Sequence, residues 1–131
     1  MIFPNLPVKD LERATTFYTQ LGFEKNPQFS DENASSIVIS DTIVVMLLRH
    51  EYFSTFTKKT IADSTAQTEV LLGLSADSKE DVDTLVGKAI AAGGSEPRET
   101  QDLGFMYGRA FEDLDGHTWE VFYMDPSAIQ Q

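Results

Sequence analysis

The 131-residue chain is 41% hydrophobic and 24% charged, the size and balance of one folded domain with a packed core, which excludes disordered and fibrous architectures. Its formal net charge of -11 repels phosphate backbones, and no basic stripe extends beyond Lys58 and Lys59, so nucleic acid is not an expected partner. With no cysteine in the chain, disulfide frameworks, thiolate nucleophiles and cysteine-held metal centres are ruled out.

The opening MIFPNLPVKD lacks the basic start and long apolar stretch of a signal peptide, and no apolar run approaches the roughly 20 residues that span a bilayer. The expectation is a cytoplasmic protein without a membrane partner. Within that opening, IFPNLPV is extended because two prolines forbid a helix. A helix starts after Asp10, whose carboxylate can cap the first free N–H groups. Leu11, Ala14, Phe17, Tyr18 and Leu21 then recur at three-to-four-residue spacing until Gly22 ends it. Segments of β type follow at FEKNPQFS, SSIVIS and TIVVMLLR, with Ser40-Asp41 a turn between the last two. Residues 50–67 carry Tyr52, Phe53 and Phe56 among polar residues. That pattern suits a short helix packing its aromatics on the core, or a flap.

The same grammar repeats about 70 residues on. An apolar run VLLGLSA precedes the capping cluster DSKED, a helix bearing Val82, Leu85, Val86, Ala89 and Ile90 on one face, and Gly93-Gly94. SEPRET, FMYGRAFE and HTWEVFYM complete the second half, with Asp115-Gly116 marking the last hairpin. The predicted fold class is α+β, two tandem βαβββ modules forming a curved mixed sheet around a pocket. Residues 1–131 read as a single domain, with module one over about 1–50, a connection over about 51–67, module two over about 68–125 and a loose tail over 126–131.

Alternation along the last strand places Thr118, Glu120, Phe122 and Met124 on one face and Trp119, Val121 and Tyr123 on the other. Glu120, among apolar neighbours, is a candidate catalytic base or metal ligand; the alternative is a structural role, pairing with Arg109 or capping an exposed barrel end. Only His50 and His117 can supply imidazole. His117 stands three residues before Glu120, an odd separation that sends the two to opposite faces, so it reads as a turn residue. His50, at a strand end, reads as a pocket-rim candidate. In GFMYGRAF, Tyr107 and Arg109 share a face with Phe105 and Phe111, and Arg109 can either clasp a ligand carboxylate or neutralise nearby acids. Neither a phosphate-binding loop nor a G-x-S-x-G elbow is present.

The segment NLPVKDLERATTFYTQLGF, followed far downstream by FEDLDGHTWEVF, resembles the vicinal oxygen chelate superfamily of glyoxalases, extradiol dioxygenases, and bleomycin- and fosfomycin-resistance proteins. NPQFSDENA, VMLLRHEYF and GFMYGRAFED are similar to a subgroup labelled predicted lactoylglutathione lyase or glyoxalase-like. The resemblance implies four metal-ligand positions on inner strands. Glu120 matches the last of them; the other three fall at Phe3, near Leu47 and near Leu71, all apolar, with Asn5 and Glu69 as substitutes on the same faces as Phe3 and Leu71. Apolar side chains cannot ligate a hard cation, so no cofactor is expected. The leading expectation is a metal-free homodimer that binds an amphipathic organic ligand, a cationic one where Glu120 is available to it. Its pocket would be lined by Phe3, Leu47, Leu71, Arg109, Glu120 and Phe122, with Tyr52 or Tyr107 nearby. Two alternatives stand beside it. One is a lyase or dioxygenase whose divalent metal uses Glu120 with His50 or Asn5, and the other a dimeric interaction module with a vestigial pocket.

Overall fold

The computed structural model describes residues 1–128. Its contacts divide into two units, Met1–Gln67 and Thr68–Gln131, and each is a βαβββ module with its own four-stranded mixed sheet.

Module one contains β1 (Asn5–Val8), α1 (Leu11–Gln20), β2 (Glu24–Lys25), β3 (Ala34–Val38) and β4 (Val44–Arg49). The strand order is β1-β4-β3-β2, with β1 parallel to β4 and the other pairs antiparallel. Asp10 caps α1 by accepting the Arg13 N–H at 3.1 Å, and Gly22, at φ 105°, takes the left-handed conformation that turns the chain out of the helix. Ala14, Phe17 and Tyr18 of α1 bury themselves together with Leu6, Val8, Ile37, Val45 and Leu47, and each large apolar side chain contributes about 1.5–3 kcal/mol. Buried Ser35 shares a 2.7 Å hydrogen bond with Thr15 of α1, which satisfies its hydroxyl inside that core.

The strand expected over FEKNPQFS shortens to Glu24–Lys25. Pro27 cannot donate to a ladder, and it starts a 3-10 turn over Pro27–Phe29, where Asn26 Oδ1 accepts the Gln28 N–H at 3.0 Å. After β4 comes α2 (His50–Phe53) and a 3-10 turn over Ser54–Phe56. Tyr52 and Phe53 are half-buried, but Phe56 is exposed, so the expected packing of all three aromatics holds for only two.

Module two contains β5 (Leu71–Ser75), α3 (Lys79–Ala91), β6 (Gln101–Asp102), β7 (Met106–Glu112) and β8 (Thr118–Met124). Its order, β5-β8-β7-β6, reproduces module one strand for strand. Ser78 caps α3 by accepting the Asp81 N–H at 3.0 Å. Val82, Val86 and Ala89 are buried, whereas Ile90, expected with them, is exposed, because at 100° per residue it falls on the margin of that stripe. The core also takes Leu74, Phe111, Trp119 and Val121. Phe111 and Trp119, directly paired across β7 and β8, stack with centroids 6.2 Å apart.

The strand expected over SEPRET reduces to one bridge between Ser95 and Glu112, and pairing with β7 begins only at Gln101. In the last turn, buried Asp113 accepts the N–H groups of Asp115 and His117 at 3.0 and 2.9 Å, which places His117 in the turn. The tail expected to be loose from residue 126 starts as a 3-10 turn over Pro126–Ala128, with the Ser127 N–H on Asp125 at 2.9 Å; its last three positions lie outside the described residues. No helix among the described residues is long and apolar enough to cross a membrane.

Candidate ligand-binding site

Helix α3 covers one face of the module two sheet. Strand alternation and register put Leu71 and Gly73, Met106 and Gly108, and Glu120, Phe122 and Met124 on the other face. A cleft of about 390 Å³ opens there, within the range of small-molecule sites. Phe105, Met106, Phe122 and Met124 supply its apolar wall, and Arg98, Gln101 and Glu120 its polar groups. Gly108 sets the depth: a Cβ at that position would stand 3.3 Å from Met106 Sδ and 3.6 Å from Phe122 Cβ, intruding between the two.

Arg98 governs the electrostatics. Its Nη2 donates to Glu120 Oε2 at 2.7 Å, with both side chains about one-third exposed, at 33% and 34%. Nη1 of the same guanidinium is buried and makes no hydrogen bond among the described residues.

Arg109 neither partners Glu120 nor lines this cleft; it neutralises nearby acids, the other expectation for it. Ala110 stands opposite Glu120 in the register, so Arg109 points to the other face of the sheet. There its Nε and Nη2 donate to Glu96 at 2.9 and 3.0 Å, and its Nη1 to Asp83 of α3 at 3.0 Å. Tyr107, on the same face, also donates to Asp83, at 2.7 Å. The Tyr107 hydroxyl holds the Asp83 carboxyl below its usual value, and Arg109 adds to this against the effect of burial. Reciprocally, Asp83 pushes the Tyr107 phenol up, and Glu96 chiefly raises Arg109. The two residues clamp β7 to α3 and do not line the cleft.

Of the four implied metal positions, only Glu120 carries a donor side chain. Leu47 is fully buried in the module one core, paired with Leu6, rather than lining a pocket; Met46 and Leu48, on the opposite face, offer at most a thioether. Phe3 and Leu71 are exposed and carry no donor atom. The Asn5 amide donates to the Phe3 carbonyl at 2.9 Å, and Glu69 is exposed ahead of β5. His50 is exposed at the start of α2, next to Arg49, whose guanidinium is held by Asn33 and Glu51. Among the described residues, no group of three or more His, Cys, Asp or Glu side chains could hold a metal. A carboxylate already bonded to a guanidinium amid apolar side chains does not fit a divalent cation, which takes several oxygen or nitrogen donors.

Sequence reasoning misses Arg98 and Gln101, because both lie in or beside a stretch read as a plain strand. The usable signal is scarcity. The chain has four arginines, and once register turns Arg109 away, Arg98 is the remaining arginine of module two able to answer Glu120.

A family model described as bleomycin resistance protein-like N-terminal matches residues 1–40. A hypothetical protein from S. aureus is 33% identical, over 94% of this chain and 91% of its own, with a TM-score of 0.80. A glyoxalase/bleomycin resistance protein/dioxygenase family enzyme from Burkholderia phytofirmans is 21% identical, over 94% of this chain and 97% of its own, with a TM-score of 0.77. Over residues 1–40 the chain matches the bleomycin resistance protein-like family model, and over nearly its whole length it shares the fold of the glyoxalase/bleomycin resistance protein/dioxygenase family enzyme. A fosfomycin resistance protein from Mesorhizobium loti shares the fold at 16% identity, over 98% of this chain and 94% of its own, with a TM-score of 0.70. A search of curated proteins finds no match.

Proposed function

We propose that this chain binds a small organic molecule in the module two cleft and holds no resident metal at Glu120. The observation that carries the reading is the 2.7 Å Arg98–Glu120 pair: a guanidinium sits at the carboxylate where the superfamily resemblance implies an ion. Removing either partner would leave a charge unbalanced on a partly apolar wall, so Arg98 answers Glu120 electrostatically without any added cation. The wall of Phe105, Phe122, Met106 and Met124 supplies adaptable apolar contact for an aromatic ligand. A cationic ligand would be favoured only by an unpaired Glu120, and the pairing with Arg98 removes that preference.

Metal analysis together with calorimetric titration by Zn²⁺, Ni²⁺, Mn²⁺ and Fe²⁺ tests this reading on chelator-free protein. The expected result is no stoichiometric ion that depends on Glu120. One ion per chain, lost in Glu120→Gln, would favour the metal-dependent lyase or dioxygenase instead.

A further inference from the structure

The polar corner of the cleft selects the polar group of its ligand, a conclusion that rests on the ligand-binding reading above. Arg98 Nη2 donates to Glu120 Oε2, and Arg98 Nη1 is sealed from solvent, so that nitrogen cannot reach a ligand. Glu120 keeps its second oxygen: Oε1 makes no hydrogen bond among the described residues and stays open to solvent. What the corner holds out is an acceptor. A ligand ammonium placed on it would give up water against Phe105, Phe122 and Met124, with its attraction to Glu120 offset by Arg98. A ligand carboxylate would meet Oε1 charge against charge. A neutral donor satisfies the acceptor and adds no charge.

Shape narrows the donor further. Phe122 leans across the sheet over Gly73, where a Cβ would stand 3.4 Å from Phe122 Cε1, and Glu120 lies two residues before Phe122 on the same face of β8. Side chains so spaced stand about 7 Å apart, roughly the length of a fused bicyclic ring. We propose that the module two cleft takes a flat, neutral heteroaromatic with a ring N–H, of the indole type. Its N–H donates to Glu120 Oε1, and its ring lies against Phe122 and the thioethers of Met106 and Met124. A hydroxyl would donate as well, but its own lone pairs would call for a donor that the sealed Nη1 does not supply. The N–H of an indole-type ring brings no lone pair to satisfy.

Indole and benzofuran share one outline and differ at the N–H, so amide chemical-shift titration of the wild-type chain with each reads that bond directly. Indole should bind about tenfold tighter. Benzofuran-2-ylmethylammonium and benzofuran-2-carboxylate, which add charge to the ring without the N–H, should bind no better than benzofuran. The double variant Arg98→Met with Glu120→Met exchanges the pair for uncharged chains. It should leave the unfolding midpoint close to wild type and bring indole down to the affinity of benzofuran. Arg98→Met alone, which leaves Glu120 unbalanced, should shift the preference to the ammonium. If benzofuran or either charged probe matches indole in wild type, with shifts at Gly108 and Phe122, the N–H assignment is wrong while the cleft stands as a site. If the double variant keeps the preference for indole, the assignment fails as well. If no probe shifts module two, the ligand-binding reading fails with it.

Discussion

Modules one and two repeat one βαβββ plan and part company on the sheet faces their long helices leave uncovered. Module one places Asn5, Met46 and Leu48 there by register. Module two places a glycine-floored cleft there, with a paired arginine and glutamate at one corner. The helix-facing sides, by contrast, do the same work in both, with Phe17 against one sheet and Trp119 within the other, each almost fully buried. Fold and site thus occupy opposite faces of the same strands, so one can diverge while the other is kept.

Breaking the shared part should cost most. Phe17→Ala and Trp119→Ala should each destabilise the protein by about 3–5 kcal/mol in urea unfolding. A loss under about 1 kcal/mol at either position would show that the two cores are not equivalent. Filling the unshared part should act on binding instead. Gly108→Val places side-chain atoms between Met106 and Phe122 and should weaken indole binding by about tenfold; unchanged affinity would move the ligand away from the cleft floor.

Arg109→Ala sharpens the contrast from within module two, because Arg109 lies on the helix side and Arg98 on the cleft side. Its bonds to Glu96 and half-exposed Asp83 are worth about 1 kcal/mol after solvent screening, and probe affinity should not change. The smallest effect is the pH dependence of that clamp. Asp83 is lowered from 3.8, so its contribution is full above 3.8 and is lost as pH falls through the lower folded value. Tyr107 is raised from 10.0, so its contribution is full below 10.0 and is lost as pH rises through the higher folded value. Thermal midpoints of wild type and Asp83→Asn, followed across pH, should therefore converge at both extremes. A constant gap would rule out the clamp as the source.

The parts of this molecule that are local in sequence were legible. The Asp10 and Ser78 caps, the helix exits near Gly22 and Gly93, and the hairpin at Asp115-Gly116 each follow from a few neighbouring residues. The face of Glu120 was legible too, since alternation needs only one strand. The partner of Glu120 was not, because that depends on how β7 registers against β8 and on where the connection from α3 passes. Register places Ala110 opposite Glu120, and a shift of one residue exchanges faces. The position near Leu47 came from the resemblance alone; register sets that residue in the core, and its neighbours Met46 and Leu48 face away from α1. SEPRET misled because charged and polar residues around Pro97 fit a connection as readily as a strand.

The central claim, that the cleft of module two and not the corresponding face of module one holds the ligand, is tested most directly by amide chemical-shift mapping with indole. The largest shifts are expected at Gly108, Phe122 and Met124, with the side-chain Nε–H of Arg98 moving along with them. Largest shifts at Asn5, Met46 and Leu48, with Arg98 unmoved, would contradict it.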